Sequence, residues 1–184
     1  LDFLFPLGDQ AAALGTGGVS TASGTALNIN YNGASNAVMT NVLSGNGSLI
    51  KDGSGTVVIN TAGNTYSGGT TINAGRLGLN FSDALGTGNV VINSGAELGI
   101  GGITLANNVS GAGRIVKTGN LTANLTGTNT HSGGLDVQGG AVNVTGNGAL
   151  GSGAVTTGSG TQLNYTNTAA ATFSNGLSGA GTFN

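Results

Sequence analysis

The sequence predicts an all-β fold in which the chain winds into a parallel β-solenoid of about nine turns, each of about 20–24 residues. Two patterns lead to that prediction: an internal repeat of about 66 residues, and short β-branched segments separated by glycine, asparagine and serine. Composition agrees with it, because 38 of the 184 residues are glycine and only 5% are charged. Closely stacked coils need glycine at corners where the backbone adopts a positive φ.

The long repeat is the strongest signal in the chain. Three motifs define it: A-L-G-T/S-G at Ala13, Ala84 and Ala149, N-T-x-S-G-G at Asn64 and Asn129, and x-S-G-x-G at Leu43, Val109 and Leu177. Neighbouring copies of one motif start about 65–71 residues apart. We therefore expect a single β-solenoid segment over residues 1–184, cut from a longer array, with repeat units of approximately 1–50, 51–117 and 118–184.

A shorter period lies within each unit. The segment Thr70–Leu77 resembles Val90–Leu98, which starts about 20 residues later, so each unit holds about three sub-units of the length of one solenoid turn. Side chains alternate between the two faces of a strand. That alternation predicts eight inward positions: Ile72, Leu77, Leu79, Leu85, Val90, Ile92, Leu98 and Ile100. It places four other side chains outside: Thr71, Asn73, Arg76 and Glu97.

Composition and charge exclude several classes of protein. The chain has no cysteine, so neither a disulfide framework nor a thiolate zinc site is expected. Its net charge is −2 and no basic cluster is present, so nucleic acid is not an expected partner. No apolar run reaches the about 18 residues of a membrane-spanning helix. These features favour a structural or binding protein over an enzyme.

No residue pattern typical of catalysis, cofactor binding or metal binding is present, so we expect none of these sites. The only histidine, His131, has Tyr66 as its equivalent in the preceding repeat, and a position that takes either ring is typical of packing or of a turn surface. Glycoside hydrolysis needs paired carboxylates, and calcium-binding repeats need an aspartate in each repeat. The acidic residues follow neither pattern, although stacked coils can bring distant ones together: Asp2, Asp9, Asp52, Asp83, Glu97 and Asp136.

Lysine and threonine recur at positions that need an interpretation. Lys51 and Lys117 are equivalent, and we interpret them as solvated charges at strand ends; a lysine ladder that attracts anionic glycans is the alternative. Three threonines assigned to the outside could form hydroxyl ladders that bind ice or sugars: Thr71, Thr156 and Thr161. The equivalent of Thr71 in the next unit is Asp136, which argues against a regular lattice-matching surface.

The most distinctive residues run from Asn64 to Leu77 as N-T-Y-S-G-G-T-T-I-N-A-G-R-L and resume at Ala84 as A-L-G-T-G-N-V-V-I-N-S-G-A-E-L. Together with the lead-in Gly47–Ile59, they resemble the passenger-associated transport repeat of autotransporter passenger domains. The resemblance is best over residues 43–165. It implies a right-handed parallel β-helix that leaves a Gram-negative bacterium by type V secretion, with a C-terminal outer-membrane β-barrel translocator in the full-length protein as partner.

The resemblance and the composition together predict a non-enzymatic rod that is extracellular, at the cell surface. It would mediate surface display and adhesion or cell–cell aggregation, with host or bacterial surface glycans or proteins, or further copies of itself, as partners. One alternative is a subunit of a self-assembling extracellular filament or biofilm matrix, because solenoid ends can pair. Another is a spacer for a passenger enzyme that lies outside this fragment.

Overall fold

The chain folds as a parallel β-solenoid. The computed structural model describes residues 2–4, 14–146, 148–167 and 173–184, and these ranges contain 21 strands joined by turns, without a helix. Each strand pairs in parallel with strands of the neighbouring coils. The longest sheet has eight strands, and the solenoid has about eight turns, close to the expected number of about nine. Coils differ in length: the coil from Ser20 to its partner Ser44 is longer than the coil from Thr71 to Val91.

Each coil has three sides. Side 1 carries β1 (Asp2–Leu4), β3 (Ala26–Asn30), β6 (Ser48–Asp52), β8 (Thr70–Ile72), β10 (Val90–Ile92) and β13 (Val109–Ser110). Side 2 carries β4 (Ala37–Met39), β7 (Thr56–Ile59), β9 (Arg76–Leu79), β11 (Glu97–Ile100), β14 (Arg114–Lys117), β16 (Leu135–Val137), β18 (Val155–Thr157) and β20 (Leu177–Gly179). Side 3 carries the pair β2 (Val19–Thr21) and β5 (Leu43–Gly45), then β12 (Thr104–Leu105), β15 (Thr122–Leu125), β17 (Ala141–Thr145), β19 (Gln162–Thr166) and β21 (Thr182–Phe183).

Four stretches stack on their neighbours without forming regular strands. They contain the N-T-x-S-G-G and A-L-G-T/S-G motifs: residues 64–69 and 84–89 on side 3, and 129–134 and 149–154 on side 1. Single backbone hydrogen bonds hold them in register, as where the Thr87 N–H donates to the Tyr66 carbonyl at 3.0 Å. Gly86 lies in a turn and has a φ of 59°. A Cβ at this position would collide with the Tyr66 carbonyl oxygen, so only glycine fits.

The interior is a set of aliphatic rows that run along the axis. On side 2, five registered residues are all 2% exposed or less: Val57, Leu77, Leu98, Ile115 and Leu135. All eight positions predicted to face inward are buried, and the four predicted to face outward are not. Burying one such aliphatic side chain stabilises the fold by about 1.5–3 kcal/mol, and it does so only against the neighbouring coil.

The long repeat does not contain a whole number of coils. Thr70–Ile72 lies on side 1, but its equivalent one repeat later, Leu135–Val137, lies on side 2. In the same way Arg76–Leu79 lies on side 2 and Ala141–Thr145 on side 3. Three coils that start at Thr70 end near Asn129, short of Leu135, so one repeat advances by three coils and one further side. Successive repeats therefore present the same motif on successive sides.

Candidate functional site

Buried asparagines bridge three successive coils at the N-T-x-S-G-G motif. Asn129 is 3% exposed; its Oδ1 accepts a hydrogen bond from the Val109 N–H of the preceding coil at 2.9 Å. Its Nδ2 donates to the Ala149 carbonyl of the following coil at 2.5 Å. Asn64 makes the equivalent bonds to the coils on either side, at 2.7 and 3.1 Å. Each amide satisfies one buried donor and one buried acceptor that would otherwise lack a partner.

A second group of asparagines holds the A-L-G-T/S-G turns. The Asn107 Nδ2 donates to the carbonyls of Gly86 and Gly88 in the preceding coil, at 3.2 and 2.8 Å. Asn41 and Asn175 hold the other two copies of the turn in the same way. Every positive-φ residue in the described ranges is a glycine, so asparagine supports these turns through its amide and not by taking the corner conformation itself.

On the outer surface, asparagine side chains form ladders along the axis. The longest lies on side 3 and has four members joined by hydrogen bonds of 2.8–3.0 Å: Asn124, Asn143, Asn164 and Asn184. A shorter ladder on side 1 joins Asp52, Asn73 and Asn93 through two bonds of 2.7 Å. Each amide inside a ladder, such as Asn143 or Asn73, uses a donor and an acceptor on its two neighbours, so the main effect of these rows is to stabilise the stack.

The expectation that Lys51 and Lys117 are solvated was wrong: both are 0% exposed. The alternation along β6 directs Lys51 inward, and its long stem carries the ammonium to a corner. There Nζ donates to the carbonyls of Asp52 and Gly53 at 2.8 Å and of Ala74, in the next coil, at 3.1 Å. Lys117 has an equivalent cage with bonds of 2.7–2.9 Å. The lysines therefore join coils from within and present no cationic ladder to a glycan.

Burial also changes the proton affinity of these amines. It lowers the pKa of Lys51 to about 8, with the nearby Asp52 carboxylate opposing the shift, and it lowers the pKa of Lys117. Both shifts have the sign expected for a cation taken out of water.

The position that takes Tyr66 or His131 lies in the core and not on a turn surface, at 1% and 0% exposure. The Tyr66 hydroxyl hydrogen-bonds the Thr70 hydroxyl at 2.6 Å. The equivalent of Thr70 beside His131 is Leu135, and among the described residues neither imidazole nitrogen has a hydrogen-bond partner. Burial lowers the pKa of His131, and the backbone of Gly134 offsets only part of that shift. A neutral ring here fills space and does not meet solvent.

Charged side chains form one row on the outer face of side 2. Glu97 accepts hydrogen bonds from Nε of Arg114 at 2.9 Å and from its Nη2, whereas Nη1 of Arg76 is 3.7 Å from the other Glu97 oxygen. The hydrogen bond and the charge of Glu97 raise the pKa of Arg114, and the Asp136 carboxylate adds to the effect. Arg114 is therefore the hydrogen-bonded partner of Glu97, and the Arg76 guanidinium makes no hydrogen bond within the described residues.

The other carboxylates are hydrogen-bond acceptors at the coil edges. Three of them accept bonds of 2.7–2.8 Å: Asp52, Asp83 and Asp136. Asp2 belongs to β1, and Asp9 lies outside the described residues. Across residues 2–4, 14–146, 148–167 and 173–184, no group of three or more His, Asp or Glu residues is placed to hold a metal ion.

Thr71, Thr156 and Thr161 do not form a hydroxyl ladder, in agreement with the argument from Asp136. Thr71 is on side 1 and Thr156 on side 2, so no row joins them. The outward assignment of Thr161 was wrong, because this side chain is 2% exposed. It sits at the corner before β19, where its hydroxyl turns back to donate to the Gly158 carbonyl at 2.8 Å.

A groove of about 300 Å³ lies on the outer face of side 2. Its floor is the backbone of Gly78 and Gly99, registered neighbours that follow the outward Val58. Arg76 lies across Gly99, since a Cβ at that glycine would collide with the guanidinium. The opposite edge is formed by three residues: Asn80, Gly101 and Thr118. Of the residues that line the groove, Arg76 alone is charged.

Sequence reasoning missed this groove. The signal was present in R-L-G-L at residues 76–79 and E-L-G-I at 97–100, where glycine holds an outward strand position in two consecutive coils. The glycines were interpreted only as corner residues.

As for membrane insertion, the described part of the chain holds no helix long and apolar enough to cross a bilayer.

Comparison with known proteins identifies one repeat family. The passenger-associated-transport-repeat model matches residues 49–79 and 115–144, about a third of the chain. Searches of curated proteins and of solved structures find no match. Each matched segment contains one caged lysine and one N-T-x-S-G-G motif. The resemblance seen in the sequence is confirmed, and these repeats on a β-solenoid fit an autotransporter passenger.

Proposed function

We propose that this chain, which carries two passenger-associated transport repeats, is a stretch of an autotransporter passenger that works as a non-enzymatic rod on the surface of a Gram-negative bacterium. The rod displays its outer sides and mediates adhesion or cell–cell aggregation, by contact with surface glycans or proteins or with further copies of itself. A right-handed coil and an outer-membrane β-barrel translocator belong to the same proposal.

The observation that supports the proposal most strongly is where the shared residues of the repeat point. In both matched segments the recurring lysine and asparagine are buried and bond one coil to the next. A repeat that uses its recurring lysine and asparagine to join coils builds a scaffold. The residues that differ between repeats, such as Arg76 and its equivalent Ala141, lie on the outside and are free to define contacts.

Secretion through a narrow pore is physically compatible with this architecture. The chain has no cysteine, so no disulfide can form before export. Each emerging coil buries its apolar row against the coil already folded, at about 1.5–3 kcal/mol for each large aliphatic side chain. Folding outside the membrane therefore releases free energy step by step and biases the chain outward.

A display experiment tests the proposal. The full-length protein is expressed in a non-adherent Gram-negative strain, and surface exposure is measured by protease cleavage on intact cells. Adhesion to host cells and settling of suspensions are then compared with a strain that displays the translocator alone. We expect surface exposure together with adhesion or aggregation. Normal display with neither property above the translocator-only strain would contradict the adhesive role.

Deleting residues 64–128 gives a matched variant. Gly63 would then join Asn129, which can take the place of Asn64 as the cap on the Leu43 N–H, so the shortened rod should stack and be displayed. Adhesion should fall because one repeat of outer surface is lost. Ile72→Asp keeps the length but places a charge in the core, so it should reduce display itself.

A further inference from the structure

We infer that the groove on side 2 binds an acidic saccharide, with Arg76 as the residue that takes its carboxylate. The inference rests on the proposed adhesive function in that it names a ligand class for the outer surface. It follows from the residues that line the groove.

The two floor glycines are not required by the backbone. Neither Gly78 nor Gly99 has a positive φ, and a Cβ at Gly78 would meet only a methyl group of Val58 at 3.3 Å, with other atoms at 3.8 Å or more. One repeat later the same positions hold Asn143 and Asn164, which form part of the outer ladder. The solenoid thus accepts side chains at these positions, and glycine opens the groove in this repeat but not in the next one.

Arg76 supplies the anion-binding group. Its side chain is 27% exposed, it crosses the groove floor, and Glu97 lies 3.7 Å away because Arg114 holds that carboxylate more closely. A guanidinium with unspent donors in a fixed plane matches a carboxylate in a two-point contact. The equivalent residue in the next repeat is Ala141, so the cation and the open floor occur together and are lost together.

The remaining lining favours a sugar over a peptide. Asn36, Thr56 and Thr118 provide amide and hydroxyl groups around the floor. Two exposed apolar side chains adjoin residues of the far edge: Phe81, at 40% exposure, follows Asn80 in the chain, and Leu121, at 72%, lies against Gly102. Such side chains suit the C–H face of a pyranose. The groove lies on the face of a sheet, where strand N–H and C=O groups are already paired, so it cannot take up a peptide as an added strand.

The test uses the purified 184-residue chain and observes the amide signals of Gly78 and Gly99 by NMR during titration. Three probes are compared: a galacturonic acid tetramer, its fully methyl-esterified form, and a hexaglutamate peptide. We expect the acid tetramer to shift both signals and to bind at least about tenfold more tightly than the ester or the peptide. Arg76→Gln should weaken binding of the tetramer at least about tenfold.

A second variant separates loss of binding from loss of folding. Gly78→Asn should abolish binding by filling the groove while the chain stays folded, because the equivalent position holds Asn143. Thr156→Val, on the outer face of side 2 but outside the groove, should bind like the unmodified chain. Equal binding of the ester or of hexaglutamate, or full binding by a folded Gly78→Asn chain, would overturn the inference.

The outcomes also separate this inference from the proposed function. If displayed rods do not adhere but the purified chain binds the tetramer through Arg76, the adhesive role fails and the groove assignment stands. If rods adhere and the chain binds no tetramer, the groove assignment fails and the adhesive role stands.

Discussion

The buried amide of Asn129 should stabilise the solenoid far more than an equally hydrogen-bonded amide on the outer surface. Asn129→Ala removes the acceptor of the Val109 N–H and the donor to the Ala149 carbonyl. Both groups lie where water cannot replace the lost partner, and each unsatisfied buried group costs about 1–3 kcal/mol, so we expect a loss of about 2–6 kcal/mol. Asn143→Ala also removes two amide hydrogen bonds, but on a partly exposed ladder, and should cost less than about 1 kcal/mol.

Two measurements check this difference. Urea unfolding followed by circular dichroism gives the global cost, and native-state hydrogen exchange at the Val109 amide gives the local one. The second is needed because coils of a solenoid can open separately. A local loss of about 2 kcal/mol corresponds to exchange about 25-fold faster at Val109. If both variants lose the same stability and Val109 exchanges at its original rate, the bridging role assigned to Asn129 is wrong.

Three further predictions concern the core. Burial lowers the pKa of Lys51 to about 8, so between about pH 8 and pH 10.4 the unfolded chain binds more protons than the folded chain. The free energy of unfolding should therefore rise with pH over that range. Lys51→Met should reduce the slope of a plot of urea midpoint against pH. Burial also lowers the pKa of His131, so the stability of the fold should fall as the pH drops below about 6.5. The double variant His131→Tyr, Leu135→Thr copies the preceding repeat and should lose less stability below that pH. Ile72→Asp should cost several kcal/mol, and Thr71→Asp less than about 1 kcal/mol, in thermal melts; similar melting temperatures for the two would contradict the assignment of faces.

Alternation and repetition were enough to predict the coil and its interior. Ile72, Leu77 and Leu98 could be assigned inward because a strand has a period of two residues, and a stack of coils is the only way to bury so short a strand on one face. The same alternation, applied to Leu49 and Lys51, also directs the lysine inward. Residue type was given more weight than pattern there, and the carbonyl cage that makes burial tolerable involves Ala74 of another coil.

The arrangement of repeats around the axis could not be predicted in the same way. The long period is compatible with three coils of equal length, and only the strand register shows that the coils near Thr71 are shorter than a third of the repeat. The groove was missed for a related reason. Residue type alone does not distinguish a glycine within a strand from a glycine at a corner. The outward position of Gly78 becomes evident only when β9 is registered against β7 and β11.

The one-side advance of each repeat determines how a surface built from such repeats meets its partners. Equivalent positions, such as Gly78 on side 2 and Asn143 on side 3, point in different directions, so one flat partner cannot contact both. A motif returns to the same side only after three repeats, or about ten coils, which at about 4.8 Å per coil is about 48 Å along the axis. Multivalent binding of one partner through closely spaced copies of the same motif on one side is therefore excluded. What the geometry provides is a rod with contact sites on all three sides, each differing from the next through the outward residues that the stacking motifs leave free.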